Sequence, residues 1–176
     1  MTPDAILAAL SDRQTLACTA WAEARKVPRG DHSPVEELIA VMVVVRNRLP
    51  HFAQWRASVA TYKAICLAPS QFSCWNPNSG GPGSNHDALM VQAGLLVDGA
   101  ALVDRLSLLP VGLDPELREC LYLADGVIIG ELRDRTDGAN SYWAPAAMLP
   151  VGRVPAAAVG KAHLLIGDQY FFVDPV

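Results

Sequence analysis

Glu23 is the residue whose surroundings point most directly to chemistry. It stands in Trp21-Ala22-Glu23-Ala24-Arg25, a carboxylate among apolar and small side chains. Loss of water beside an aromatic ring disfavours the charged form of a carboxyl, which can then hold a proton near neutrality. A protonated carboxyl is what general-acid attack on a glycosidic oxygen needs. Arg25 and Lys26 push the other way. The bland alternative is a surface Glu paired with a Lys or Arg on its own helix.

Two further strings combine hydrogen-bonding groups with rings. Gln71-Phe72-Ser73-Cys74-Trp75 lies in a stretch rich in Pro, Gly, Ser and Asn. Amide and hydroxyl groups there could bind sugar hydroxyls and acetamides, and the rings could stack on sugar faces. Equally, Phe72 and Trp75 could simply pin the loop to the core. Asp137-Gly138-Ala139-Asn140-Ser141-Tyr142-Trp143 mixes turn residues with aromatics, and alone it reads as a connector between a helix and a strand.

Other chemistries find less support. Cys74 with His86 or His163 could form a thiolate pair, but no flanking motif accompanies them. His32, His51, His86 and His163 are scattered without zinc-ligand spacing, so no metal or other cofactor is expected. Cys18, Cys66, Cys74 and Cys120 read as buried free thiols, because Cys18 and Cys120 fall within helical patterns and no export signal is visible.

The elements that must position these groups are mostly helices. A first helix is expected over Pro3 to Leu10. A second should run from Asp12 to Arg25, capped by Ser11 or Asp12. It places Thr15, Thr19 and Glu23 on one stripe, and Lys26 to Gly30 break it. Ser33, Pro34 and Glu36 spell the start of a third helix. Its run Leu38 to Val45 is apolar on all sides and so belongs at the centre of the core, before a polar end at Arg46-Asn47-Arg48. A short helix is expected around Ser58 to Cys66, then a long surface loop over Pro69 to Asn85. Another helix follows from Ser84 or Asn85 to about Val103, interrupted near Gly99. Asp114-Pro115-Glu116 opens a last helix with an apolar stripe of Leu117, Leu121, Ala124 and Ile128, closed by Gly130. Leu164 to Ile166 and Gln169 to Val173 flank Gly167-Asp168 as a terminal hairpin. The expected fold is mainly α with a small β-hairpin, in one domain of 176 residues.

Taken in order, these strings resemble the SleB-type cell wall hydrolase family. Ala22-Glu23-Ala24-Arg25 matches its first-helix signature, Val44-Val45-Arg46-Asn47-Arg48 its apolar helix ending in Asn-Arg, and Gln71-Phe72-Ser73 its loop. Gly138-Ala139-Asn140-Ser141-Tyr142 matches its Gly-Ala-x-x-Tyr segment, and Ile166-Gly167-Asp168-Gln169-Tyr170-Phe171 its closing hairpin. The matches span about Ser11 to Val173. Lys26-Val27 stands where Gly-Glu is common, and Ser141 where His is frequent. The resemblance implies a lysozyme-like α+β fold and cleavage between N-acetylmuramic acid and N-acetylglucosamine. It implies Glu23 as the catalytic residue and Gln71, Phe72, Ser73, Asn140 and Tyr142 as substrate-binding residues. A lytic transglycosylase needs one carboxylate because the substrate supplies the nucleophile, unlike the usual two-carboxylate scheme. A hydrolytic muramidase would want a second carboxylate, for which Asp31 is the nearest candidate. A glycan-binding or virion structural domain without activity is a third reading.

The formal net charge of −4 argues against a nucleic-acid partner and against bulk attraction to an anionic wall polymer. Contacts in a groove would have to bind peptidoglycan strands. The longest apolar block, Leu38 to Val45, is far short of the ~20 residues of a membrane-spanning helix, so no stable membrane insertion is expected. The start, Met1-Thr2-Pro3-Asp4, lacks the basic residues of a secretory signal. The expectation is a monomer made in the cytoplasm that acts on the cell wall after release or delivery, as a phage-type lysis enzyme does.

Overall fold

The computed structural model describes residues 1–24, 35–77, 85–99, 110, 112–145 and 152–175. Six helices occur among them: α1 (Pro3–Ala9), α2 (Asp12–Ala24), α3 (Val35–Arg48), α4 (Tyr62–Leu67), α5 (Asn85–Asp98) and α6 (Pro115–Ile128). Three short strands complete the fold: β1 (Ser141–Trp143), β2 (Leu164–Ile166) and β3 (Gln169–Phe172). The expected break over 26–30, the Ser33 cap, Asp31, His32 and the extension of the α5 helix towards Val103 lie outside the described residues.

Local signals explain most helix ends. Ser11 and Gln14 form a reciprocal cap on α2: the Gln14 N–H donates to Ser11 Oγ at 3.2 Å, and the Ser11 N–H donates to Gln14 Oε1 at 2.9 Å. Thr61 caps α4, which begins later than the sequence suggests because the backbone before it is bent. Asp114 accepts N–H bonds from Glu116 and Leu117 and so starts α6. The α6 stripe differs from expectation at its end. Val127 is fully buried, whereas Ile128 faces solvent, because the buried face advances through Leu117, Cys120, Leu121 and Ala124 at helical spacing and reaches 127 first.

The centre of the molecule is α2 as much as α3. α2 packs against α3, α4, α5 and α6, and everything from Gln14 to Ala22 is buried. Its alanines, Ala17, Ala20 and Ala22, let neighbouring backbones approach closely. On α3, Leu38 and Ala40 to Val45 are buried as expected, whereas Ile39, inside the same run, is only half-buried and lines a concavity. All four cysteines are free and buried. No helix among the described residues is long and apolar enough to cross a membrane.

The sheet is larger than the predicted hairpin. β2 and β3 pair antiparallel around Gly167-Asp168, and Gly167 takes the positive φ (59°) that the first position of a tight hairpin turn favours. The segment around Ser141, expected to be a loop, is a strand: β1 pairs antiparallel with the other side of β3, giving the order β1-β3-β2. Period-two alternation sorts its side chains. Gln169 and Phe171 face the helical core with Tyr142. Tyr170 and Phe172 face away and pack with Trp143 and Ala158 in a second small cluster.

Candidate active site

Glu23 lies at the C-terminal end of α2, half-buried, one turn beyond Thr19 and two beyond Thr15. The helical stripe read from the sequence is therefore present. Its upper two members fix position: Thr15 and Thr19 each donate to the carbonyl four residues earlier, and Thr19 Oγ1 accepts the Trp75 indole N–H at 2.9 Å. That last bond brings the 71–75 segment across α2 and lays it over Glu23.

Three groups from two distant segments meet the carboxylate. The Cys74 N–H donates to Oε1 at 2.9 Å and Ser73 Oγ to the same oxygen at 3.2 Å. The Tyr142 hydroxyl, on β1, donates to Oε2 at 3.1 Å. β3 adds a fourth tie, because Gln169 Nε2 donates to the Glu23 carbonyl at 3.2 Å. Burial, reinforced by the negative charge of Glu23, lifts the Tyr142 phenol well above its ordinary range, so it stays a hydroxyl at any physiological pH. With Oε1 taken by two donors, a proton carried by Glu23 belongs on Oε2, beside Tyr142. Oε2 is thus the oxygen suited to proton transfer, and Oε1 the one that anchors the group.

The other expected groove residues divide by role. Ser73 and Tyr142 touch Glu23 directly. Phe72 is buried and packs near the Tyr142 ring, with centroids 6.4 Å apart, so it forms the floor of the site and its face is not open for stacking. Gln71 is half-buried, and its Oε1 accepts from Arg48 at 3.4 Å, a long bond that leaves the amide able to change partner. Asn140 does not meet Glu23. Its amide clasps the backbone of Asp174, donating to the carbonyl at 2.9 Å and accepting the N–H at 2.7 Å. It ties the end of β3 to the start of β1 and supports the site at one remove.

Arg48 went unmarked as a site residue in the sequence, and it joins these parts. Its Nε donates to the Asn140 carbonyl at 2.7 Å, and its guanidinium lies 4.1 Å from the Trp55 ring centre and 4.9 Å from that of Phe72. Burial pulls its pKa down to about 10, against the nearby carboxylates of Glu23 and Asp174, so it remains a cation at neutral pH. A signal existed: Arg48 falls one turn after Val44 on the buried face of α3, where a charge must have a partner. Asn47 adds a second brace, donating to the Ala139 carbonyl and to Asp134, both at 2.9 Å.

Glu37 was likewise overlooked. It is 1% exposed and accepts the Asp168 N–H at 3.3 Å, and its side chain fills the space where a Cβ on Gly167 would stand. It holds the hairpin turn and thereby the register of β3 that presents Gln169. A concavity of about 550 Å³ lies elsewhere, between Ile39 of α3, Leu132 and Ile166, and none of the groups bonded to Glu23 lines it. Among the described residues, no group of three or more His, Cys, Asp or Glu side chains could hold a metal ion. Comparison of the chain with protein-family models, with curated proteins and with solved structures found no match.

Proposed function

We propose that the chain cleaves peptidoglycan between N-acetylmuramic acid and N-acetylglucosamine, as a lytic transglycosylase with Glu23 as its single acid and base. The observation that carries this reading is the convergence of Ser73, Cys74 and Tyr142 on one half-buried carboxylate, from segments 50 and 119 residues away along the chain. A carboxylate with no task beyond solubility does not need such an arrangement. The resemblance to SleB-type cell wall hydrolases, with their lysozyme-like fold, supports the same reading.

In this mechanism Glu23 Oε2 gives its proton to the glycosidic oxygen as the bond from that oxygen to the muramoyl C1 breaks. N-acetylglucosamine leaves with a new hydroxyl. The acetamide oxygen of the muramoyl sugar bonds to C1 and carries the developing charge. Glu23, now a carboxylate, takes the proton of the C6 hydroxyl, whose oxygen closes onto C1 and displaces the acetamide. Glu23 ends protonated, and no water is consumed. Tyr142 follows the charge on Oε2: it donates to the carboxylate and can accept from the acid, because a hydroxyl rotates to suit. The Cys74 N–H and Ser73 keep Oε1 fixed throughout, which limits reorganisation during the reaction.

The test is digestion of purified peptidoglycan, with the fragments read by mass spectrometry. Wild-type chain should release fragments lacking one water relative to hydrolysis products, and Glu23→Gln should release them about 10²–10⁴-fold more slowly. Fragments with free reducing ends would replace transglycosylation by hydrolysis. Undiminished release by Glu23→Gln would remove Glu23 from the chemistry.

A further inference from the structure

Beyond Arg48 the molecule carries a second cavity, of about 400 Å³, lined by Gln54, Trp55, Asp174 and Pro175. That volume falls in the ~300–1,000 Å³ range of small-ligand sites. Trp55 ends the 3₁₀ segment Leu49–Trp55 that continues α3, and Arg56 turns the chain away with a left-handed φ of 60°. Asp174 follows β3, and its backbone is held by Asn140. The two sides of the cavity are therefore fixed by separate parts of the fold, as a built site requires.

A run of side-chain contacts through Arg48, Phe72 and Tyr142 links the cavity to the Glu23 site. The Arg48 guanidinium lies between the Trp55 and Phe72 rings and reaches Gln71, while Phe72 packs near Tyr142, which bonds Glu23. The lining groups have the chemistry of saccharide recognition. An indole ring accepts the C–H face of a sugar, the Gln54 amide both donates and accepts, and the Asp174 carboxylate accepts from hydroxyls. Asp174 forms an ion pair with Lys161, so little net charge faces the cavity. A neutral ring fits that balance better than a muramoyl residue bearing its acidic peptide.

We infer that Gln54, Trp55 and Asp174 form an outer subsite for a neutral N-acetylhexosamine ring of the same glycan strand whose bond meets Glu23. This rests on the function proposed above. The subsite would make cleavage depend on glycan length, because a longer strand gains a contact that a short fragment cannot reach.

The test is a titration of the Glu23→Gln chain with N-acetylglucosamine oligomers from dimer to hexamer. The Trp55 indole N–H resonance, assigned by its loss in Trp55→Phe, is followed by NMR. The expected result is a shift of that resonance with the longer oligomers and several-fold tighter binding of tetramer than dimer. Gln54→Ala, which leaves Arg48 and its ring contacts in place, should reduce that length preference. A Trp55 resonance that stays still at saturating hexamer overturns the subsite, and so does a length preference unchanged by Gln54→Ala. Wall clearing by the wild-type and Glu23→Gln chains is measured separately. Persistent clearing by Glu23→Gln counts against the catalytic role, while the titration alone decides the subsite.

Discussion

Two carboxylates, one at the C-terminal end of α2 and one in the first turn of α3, differ in what surrounds them. Glu37 is buried to 1% and accepts a backbone N–H at a hairpin turn. A backbone donor cannot reverse its role. Glu23 is half-buried, and two of its three donors are hydroxyls, which can accept as well as donate. In the proposed mechanism those hydroxyls can follow a proton on Glu23, whereas Glu37 is wedged against a turn that has no room to move. The difference lies in the type of donor and the freedom of the neighbours more than in the carboxylate.

The comparison breaks most readily at Glu23. Replacement by Gln keeps an oxygen for the Cys74 N–H but removes the transferable proton. Glycan cleavage should fall by about 10²–10⁴-fold with little change in the unfolding midpoint, read by muropeptide release and denaturant titration on the same preparation. A large loss of stability instead would make Glu23 a structural residue like Glu37.

The opposite pattern is expected beside Glu37. Gly167→Ala puts a methyl group into space that Glu37 occupies, on a backbone with φ 59°. Overpacking costs about 1–3 kcal/mol, and the left-handed conformation roughly 1–2 kcal/mol more. Urea unfolding should show that loss, and activity should recover when stability is restored by lower temperature. Arg48 stands between the two cases. Arg48→Met would leave the buried Asn140 carbonyl without its donor, costing about 1–3 kcal/mol. It would also loosen the strand that carries Tyr142, so stability and kcat should fall together.

The core also sets the alkaline limit. Burial lifts the thiols of Cys18, Cys74 and Cys120 well above their ordinary range and that of Cys66 to about 12. The folded chain therefore keeps protons that the unfolded chain releases above about pH 9. Their stabilisation is complete below that pH and is lost as pH rises towards the folded values, at up to ~1.4 kcal/mol per pH unit for each thiol. Unfolding midpoints measured from pH 8 to 11 should fall, and Cys120→Ala should flatten the slope. A flat profile would mean that the thiols are not enclosed as described.

Sequence alone determined what is local. Helix periods, the Ser11 and Asp114 caps and the Gly167 turn act within a few residues, so the helices, the hairpin and the Thr15–Thr19–Glu23 stripe could be read directly. The apolar run of α3 likewise announced its burial. Tertiary structure decided what meets across long separations. It alone turned the Ser141 segment into a strand, set Phe72 as floor instead of platform, and spent the Asn140 amide on Asp174. It also joined Arg48 to Trp55, Gln71 and Phe72. Those outcomes depend on how α2, α3 and the sheet pack, because a hydrogen bond between residues 50 or 119 positions apart leaves no period, cap or turn signal in the chain.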